Sequence, residues 1–199
     1  MRLRADLALL ASLIPPGSRV LDLGCGDGAL LSHLMAKRGC SGTGVERDPG
    51  SVLAAIRAGV PVIELDLDSQ LDEFADRSYD VVILSRTLQV VRKPGDLLPQ
   101  LARIGDLAMV SMPNFGYWRN RLRLLRGRMP MSRDLPYAWH DTPNLHFSTL
   151  ADLEPLFAQA GLLVERRLPL TERGRPRSLG RVRPNLLAAS ALYVLRSDR

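Results

Sequence analysis

Three glycines at alternate positions, directly after an apolar run, constrain the fold of this chain more than any other feature. They are Gly24, Gly26 and Gly28 in the stretch RVLDLGCGDGALL, which spans Arg19–Leu31. Glycine forgoes side-chain packing and costs conformational entropy, so it is expected where a chain turns tightly or where a ligand approaches the backbone. An apolar strand, a glycine turn and a new helical run in this order predict an α/β fold.

Short apolar segments alternate with helical patterns along the chain. We predict strands at Val20–Leu23, Gly42–Val45, Val62–Leu65, Val81–Leu84, Leu107–Ser111, Leu162–Leu168 and Ala191–Leu195. Helices are predicted at Ala29–Arg38, Ser51–Ala58 and roughly Asp96–Arg103, each closing at or near a glycine: Gly39, Gly59 and Gly105. The crossover around Ser69–Asp76 is short. The alternation predicts a doubly wound parallel sheet with helices on both faces.

The remaining segments predict one domain with an irregular insert. The first residues predict an amphipathic helix with Leu3, Leu7, Leu10 and Ile14 on one face. Residues 112–147 are rich in proline, arginine and aromatic side chains and break the α/β rhythm, so we expect a single domain over residues 1–199 that carries this insert. Another helix should start at Thr149 with Asp152 as its capping-box partner, and Pro155 should kink it.

Composition excludes several classes of protein. No apolar run reaches the roughly 18 residues of a membrane span, and Asp6 interrupts the apolar N-terminus that could otherwise suggest a signal peptide. Cys25 and Cys40 have no metal-binding or CxxC spacing, which suits a reducing compartment. We therefore expect a cytoplasmic protein without a metal site.

Acidic residues at the ends of successive strands indicate what the glycine turn binds. Glu46 ends the second predicted strand, where a carboxylate can accept hydrogen bonds from a ribose diol. Asp66 follows the third, where an acceptor can meet an adenine amino group. Because the carboxyl ends of parallel strands meet at one edge of a sheet, these residues predict an adenosine pocket.

The first motif separates two adenosine cofactors. Gly24, Gly26 and Ala29 fit the G-x-G-x-x-A pattern of dinucleotide folds. Asp22 and Gly28 extend it to D-x-G-x-G-x-G, and an acid at Asp22 would repel a pyrophosphate but could hold a cationic amino group. This pattern, with the pair of late strands, resembles class I S-adenosylmethionine-dependent methyltransferases.

That resemblance implies a seven-stranded, mostly parallel sheet with the last strand antiparallel, and a role for each site residue. The three glycines would lie against the methionine part of S-adenosylmethionine or S-adenosylhomocysteine, and Asp22 near its amino group. Glu46 would hold the ribose, and Asp66 with Leu67 the adenine. The sulfonium side would be lined by Ser85, Arg86, Thr87 and Gln89. Cys25, a small filler in the loop, and Arg47 complete the predicted set.

The chemistry on the acceptor side is not evident from the sequence. The loop LSRTLQVV lacks the Asn/Asp-Pro-Pro-aromatic signature of amino-methylating relatives. His140, beside Asp141, and His146 are the only candidate bases in the insert, and both are weak candidates because lone histidines are more often structural. Catalytic residues thus stay unassigned, and enzyme activity stays open.

Two arginine clusters carry the excess charge of a chain whose net charge is +6. They are Arg119–Arg133, with six arginines, and Thr171–Arg183, with five. Arginines among aromatic residues can track phosphates and stack on bases, but they are also enriched where proteins meet proteins. We favour a partner surface or a substrate lid and disfavour nucleic acid.

Several strings are similar to the MetW family of methionine-biosynthesis proteins. They are RADLALLASLIPPGSRVLDLGCGDGALL, ILSRTLQVVRKP, VSMPNFGYWRNRL, GRMPMSRDLPYAWHDTPNLHF and RVRPNLLAASALY. The resemblance implies work with the homoserine O-acyltransferase MetX and establishes no methyl acceptor.

Two hypotheses follow. In the favoured one, an accessory protein contacts the acyltransferase through Trp118, Arg119, Tyr137 and Trp139, and S-adenosylmethionine tunes the partner. In the alternative, the chain is an active methyltransferase on a small molecule, with the insert as lid and His140 or His146 assisting. A homodimer and a hetero-oligomer both stay open.

Overall fold

The computed structural model describes residues 3–177 and 182–198, and within them a single seven-stranded sheet. The strands are β1 (Arg19–Leu23), β2 (Ser41–Glu46), β3 (Val62–Glu64), β4 (Tyr79–Ser85), β5 (Gly105–Pro113), β6 (Leu162–Leu170) and β7 (Ser190–Ser197). Their order is β3-β2-β1-β4-β5-β7-β6. All neighbouring strands are parallel except β7, which runs antiparallel to both β5 and β6. The predicted fold class is confirmed.

Seven helices accompany the sheet in the described part of the chain. They are α1 (Ala5–Leu13), α2 (Ala29–Arg38), α3 (Pro49–Arg57), α4 (Pro94–Ile104), α5 (Trp118–Leu125), α6 (Leu150–Gln159) and α7 (Pro184–Leu187). Single 3₁₀ turns occupy Leu71–Glu73, in the predicted short crossover, and Leu88–Val90. None of the helices described is both long and apolar enough to cross a membrane.

Local sequence signals explain where these helices begin and end. Gly39 ends α2 in the left-handed conformation with φ of 63°. The Asp48 carboxylate caps α3 by accepting from the Ser51 N–H at 2.8 Å. The predicted capping box of Thr149 and Asp152 is present at the start of α6, which continues as one helix through Pro155.

Two element boundaries show where the sequence prediction holds and where it does not. Helix α4 ends at Ile104, beside Gly105 as predicted, although Gly105 has an extended φ of −134° and is also the first residue of β5. A Cβ there would lie 2.6 Å from Val82 Cγ2, so close strand packing requires the glycine. The insert starts later than residue 112, because Met112 and Pro113 still pair with β7. Below, "the insert" denotes residues 114–147.

The core fills both faces of the sheet. On one face, α4 and α6 pack over Leu21, Leu23, Val82 and Leu84. On the other, α1 and α2 cover Val20, Val81 and Ile83. Leu10 and Ile14 of the predicted amphipathic face are fully buried there, and Leu3 and Leu7 are half-buried. Burial on both faces explains the nearly all-apolar strands. Because β1 to β4 are parallel, their carboxyl ends meet at one exposed edge of the sheet.

Candidate functional site

A cleft of about 270 Å³ opens at the carboxyl edge of the sheet. Seven of the predicted cofactor residues line it: Gly24, Glu46, Arg47, Asp66, Leu67, Ser85 and Arg86. Thr87, which was also expected near the sulfonium, lines it too, whereas Gln89 does not. Apolar side chains of Val45, Leu65, Val90 and Val91 complete the walls. The cleft thus combines acids at its rim with apolar surfaces of the kind that an adenine ring packs against.

Asp22 lies beneath this edge rather than in the cleft lining. Its side chain belongs to β1 and is only 2% exposed, and its Oδ1 has no hydrogen-bond partner in the part of the chain that the structure describes. Burial, and secondly the nearby Glu46 carboxylate, raise the pKa of Asp22 to about 7. A buried acid without a partner is costly, and a cationic group reaching it directly or through water would relieve that cost.

Glu46 is held in place by the backbone around it. Its Oε2 accepts from the Gly26 N–H at 2.9 Å, and its Oε1 accepts from the N–H groups of Arg47 at 2.7 Å and Asp48 at 3.0 Å. This carboxylate therefore ties the glycine loop to the end of β2. It is half-buried at the rim of the cleft, and the one acceptor site left, on Oε2, can accept a hydrogen bond from a hydroxyl.

The three glycines of the turn differ in what surrounds them. All have positive φ values, 77°, 57° and 72° in chain order, which non-glycine residues rarely adopt. A Cβ on Gly24 would lie 2.5 Å from Thr87 Oγ1, and one on Gly28 would lie 3.0 Å from Val60 Cγ2. Only Gly26 has open space where a Cβ would stand. Packing within the protein therefore accounts for the absence of a side chain at Gly24 and Gly28, whereas no neighbour excludes a Cβ at Gly26.

Cys25 points away from the cleft. A Cβ on Gly44 of β2 would lie 2.5 Å from Cys25 Sγ, so the thiol fills the space that this glycine leaves. Burial raises the pKa of Cys25 to about 12, and the carboxylates of Asp22 and Glu46 add to the effect. A neutral, enclosed thiol is not a nucleophile, which agrees with its expected role as a filler.

Asp66 and Asp68, which follow β3, accept hydrogen bonds from the backbone in the opposite wall of the cleft. Asp66 Oδ1 accepts from the Asp68 N–H at 3.1 Å, and its Oδ2 lies 4.0 Å from the Arg47 guanidinium. Asp68, which the sequence analysis did not single out, also lines the cleft and accepts from the N–H groups of Arg92 at 2.9 Å and Lys93 at 3.2 Å. The repeated acid in LDLD was a signal for it, but its partners lie 24 and 25 residues away.

Arg86 joins the cleft to two distant elements. It has an unusual positive φ of 58°, and its guanidinium lies 2.6 Å from Asp134 of the insert and 3.4 Å from Asp6 of α1. The Asp134 side chain is almost fully buried, and this burial raises its pKa even though Arg86 acts in the opposite direction. The wall of the cleft and the insert therefore share one ion-paired side chain.

Neither histidine of the insert lines the cleft. His140 is exposed and packs edge-on against Trp139. His146 Nε2 lies 3.3 Å from the Arg92 carbonyl oxygen, in a groove with Gln89. No insert residue contributes to the cleft lining within the described ranges, and no cluster of three or more potential metal ligands occurs there. The structure therefore does not bring the candidate bases to the site.

The strand order, with an antiparallel β7 and an acid-rimmed cleft at the carboxyl edge, defines the class I S-adenosylmethionine-dependent methyltransferase fold. A methyltransferase of this type from Mesorhizobium loti superimposes with a TM-score of 0.71 at 20% identity, covering 96% of this chain and 97% of that one. The chain belongs to the MetW family: the family model described as "Methionine biosynthesis protein MetW" matches residues 4–195.

Two curated relatives show how the chain relates to longer proteins. It is 36% identical over 173 residues to the bifunctional methionine biosynthesis protein MetXA/MetW of Rhodopirellula baltica, covering 82% of this chain and 28% of that protein. It is 32% identical over 160 residues to a ubiquinone biosynthesis O-methyltransferase of Aeromonas salmonicida, covering 74% and 64%. The chain therefore spans about a quarter of the first relative and under two thirds of the second.

Proposed function

We propose that this chain binds S-adenosylmethionine or S-adenosylhomocysteine and acts as an accessory protein of a MetX-type homoserine O-acyltransferase in methionine biosynthesis. The observation that carries the first half is the buried Asp22 carboxylate, whose Oδ1 has no partner among the described residues. A cationic amino group is the chemistry that satisfies it, and this nucleoside carries one. The proposal follows the favoured hypothesis from the sequence.

The residues of the cleft fit the other parts of the nucleoside. Glu46, already fixed at the end of β2, is suited to accept from a ribose hydroxyl through the free acceptor site of Oε2. Asp66 Oδ2 is suited to an adenine amino group, with Leu67 against the ring. Ser85 and Arg86 line the side where the sulfonium would lie. When bound, the cofactor supplies an activated methyl group, and this chain's own residues orient and enclose the nucleoside.

The partnership is supported by the relative in which a MetXA and a MetW part share one protein. Proteins that act together gain from being linked, because linkage keeps the two parts at high effective concentration. An accessory role also fits a cleft to which neither candidate base belongs.

An active methyltransferase with the insert as lid is not favoured. The insert lines no part of the cleft in the described structure, so it does not roof the position expected for the sulfonium. His140 and His146 lie outside the cleft, which leaves an acceptor without an evident base there. A small-molecule acceptor is therefore not part of this proposal.

Calorimetry and an acyltransferase assay test the two halves separately. S-adenosylmethionine and S-adenosylhomocysteine should bind the purified chain, Asp22→Ala should abolish binding, and Asp96→Ala, at a highly exposed acid on α4, should not. Adding the chain should raise the rate or lifetime of the organism's acyltransferase, and the nucleoside should modulate that effect. No heat up to about millimolar ligand contradicts cofactor binding, and an unchanged acyltransferase contradicts the accessory role.

A further inference from the structure

The exposed apolar surface of this protein is concentrated in the insert. Of the sixteen exposed large apolar side chains in the described ranges, ten lie between residues 118 and 147. Leu125 is 85% exposed and Trp139 is 73% exposed. Single exposed apolar residues are ordinary, but a concentration of this kind marks a surface that contacts another molecule.

Helix α5 shows the same feature at the level of one element. Its only buried residue is Asn120, and its apolar residues Leu122, Leu124 and Leu125 are all exposed. A short surface helix normally gains its stability by burying an apolar face against the body of its own protein. In α5 none of these leucines is buried, and the polar Asn120 is buried instead.

The aromatic residues downstream adjoin one another. Met129, Tyr137, Trp139 and Phe147 line one shallow groove, together with Pro130 and Leu135. We call this groove and the outward leucines of α5 the docking face. Tryptophan, tyrosine, methionine and arginine are the residues most enriched at protein–protein interfaces, and all four occur on or beside it.

The docking face is preformed although little of the insert has regular structure. Asp134 is ion-paired to Arg86, and the Gln89 carbonyl oxygen accepts from the N–H groups of Leu145 at 2.8 Å and His146 at 3.1 Å. At the other end, Asn114 Nδ2 donates to the Ala188 carbonyl oxygen at 2.8 Å. These anchors reduce the entropy that a partner would have to remove on binding.

The charge of the insert indicates what kind of molecule fits the docking face. The insert has six arginines against two acids, Asp134 and Asp141; Asp134 is paired with Arg86, and among the arginines Arg119 is paired with Glu172. A second copy of this chain would bring the same positive rim and repel it. The outward leucines of α5 offer nothing to a nucleic acid. A protein with an apolar anchor site and an acidic rim is complementary to both properties.

We propose that the docking face binds the MetX-type acyltransferase, with Trp139 and Leu125 as apolar anchors and the insert arginines facing acids on the partner. This inference rests on the proposed function and locates its interface. The relative in which MetXA and MetW form one protein supplies the partner, and this chain matches 28% of its length, which leaves room for a second folded protein. The anchors through Arg86 and Gln89 attach the insert that carries this interface to the loop after β4, which lines the cleft.

Binding of the organism's acyltransferase to immobilised full-length chain tests this interface. We expect Trp139→Ala and Leu125→Ser each to raise the Kd by about tenfold or more, since exposed anchors at interface centres have effects of this size. The matched control is Ile56→Ser, at an apolar residue of α3 that is 56% exposed and lies outside the insert. It should leave the Kd unchanged. Raising the salt concentration should weaken the wild-type complex.

The outcomes separate this inference from the function on which it rests. Calorimetry with S-adenosylmethionine should give the same affinity for all variants, which shows that they are folded. Wild-type chain that fails to bind the acyltransferase overturns both proposals. Insert variants that bind it as tightly as wild type overturn the docking face alone. The docking face is also overturned as the acyltransferase site if these variants split a homodimer, or lose salt-dependent RNA binding, while acyltransferase binding persists.

Discussion

At the scale of single residues, Asp22 couples protein stability to ligand binding with opposite signs. Burial raises its pKa to about 7, so the folded protein retains a proton that the unfolded chain has released above about pH 4. The free energy of unfolding therefore falls as pH rises from about 4 to about 7, and the loss is complete above 7. A buried charge that costs stability is expected where a ligand is to satisfy it.

We expect Asp22→Asn to stabilise the ligand-free protein at pH 8 by on the order of 3 kcal/mol, and the gain should shrink toward zero as pH falls to about 4. The same variant should weaken S-adenosylmethionine binding by about tenfold to a hundredfold, because it removes a charge-assisted contact. Urea denaturation at several pH values and calorimetry measure the two effects. A variant that gains stability and keeps its affinity would separate Asp22 from the ligand.

The glycine loop offers a second prediction. Gly24→Ala should lower the free energy of unfolding by about 2–4 kcal/mol, because it combines a strained positive φ with a clash against Thr87. Gly26→Ala, with open space at its Cβ, should cost only about 1 kcal/mol. Urea denaturation measures both. Thr87→Ala in the Gly24→Ala background should restore part of the loss, and equal losses in the two single variants would contradict this explanation.

The places of site residues are predictable from the sequence where they depend on strand position alone. Glu46 and Asp66 reach one cleft because both follow parallel strands, and that geometry depends on little else. The contact between Gly24 and Thr87 could not be predicted, because it joins two loops that only tertiary packing brings together. The packing of Gly28 against Val60 and of Cys25 against Gly44 was not predictable from the sequence for the same reason.

At the scale of elements, Arg86 and Asp134 fix the insert to the loop after β4. Removing one member of a buried ion pair leaves the other without compensation, so Arg86→Met should destabilise the protein by about 3 kcal/mol. Asp134→Asn should cost less, because it preserves shape and Arg86 keeps its contact with Asp6. Trypsin cleavage at Arg126 and Arg128 should accelerate most in Arg86→Met. Unchanged cleavage would mean that the pair does not hold the insert.

The presence of each strand and helix was predictable from the sequence, whereas the residues at which they begin and end were less so. Strands were found as short apolar runs, and α2 was predicted to the residue because Gly39 stops it. The end of β5 was missed because pairing with β7, some eighty residues later, decides it. The ion pairs of Arg86 with Asp6 and Asp134 were likewise invisible, because each joins segments that are unrelated in sequence.

At the scale of the whole molecule, strand and helix alternation was enough to give a doubly wound sheet, since right-handed crossovers leave few alternatives. The insert was recognised as irregular, but its relation to the cleft was not predictable, because no periodic pattern sets its path. The second arginine cluster stays a predicted part of the partner surface. Residues 178–181 of that cluster lie outside the described structure.

Covalent linkage of the two proteins should remove the dependence of acyltransferase activation on protein concentration. Fusing the two proteins through a flexible linker should make activation independent of dilution, because the linker supplies an effective concentration near millimolar. Maximal activation should equal that of the separate proteins at saturation. Acyltransferase assays over a dilution series measure this. Activation that falls with dilution in the fused protein as it does in the mixture would contradict a direct complex.

The carboxylate of Glu46 has a kinetic consequence. Three backbone N–H groups immobilise it before any sugar arrives, so no rearrangement of that side chain has to precede capture. Encounter itself should then limit association, and stopped-flow traces should follow a single exponential whose rate climbs in proportion to nucleoside concentration without reaching a plateau.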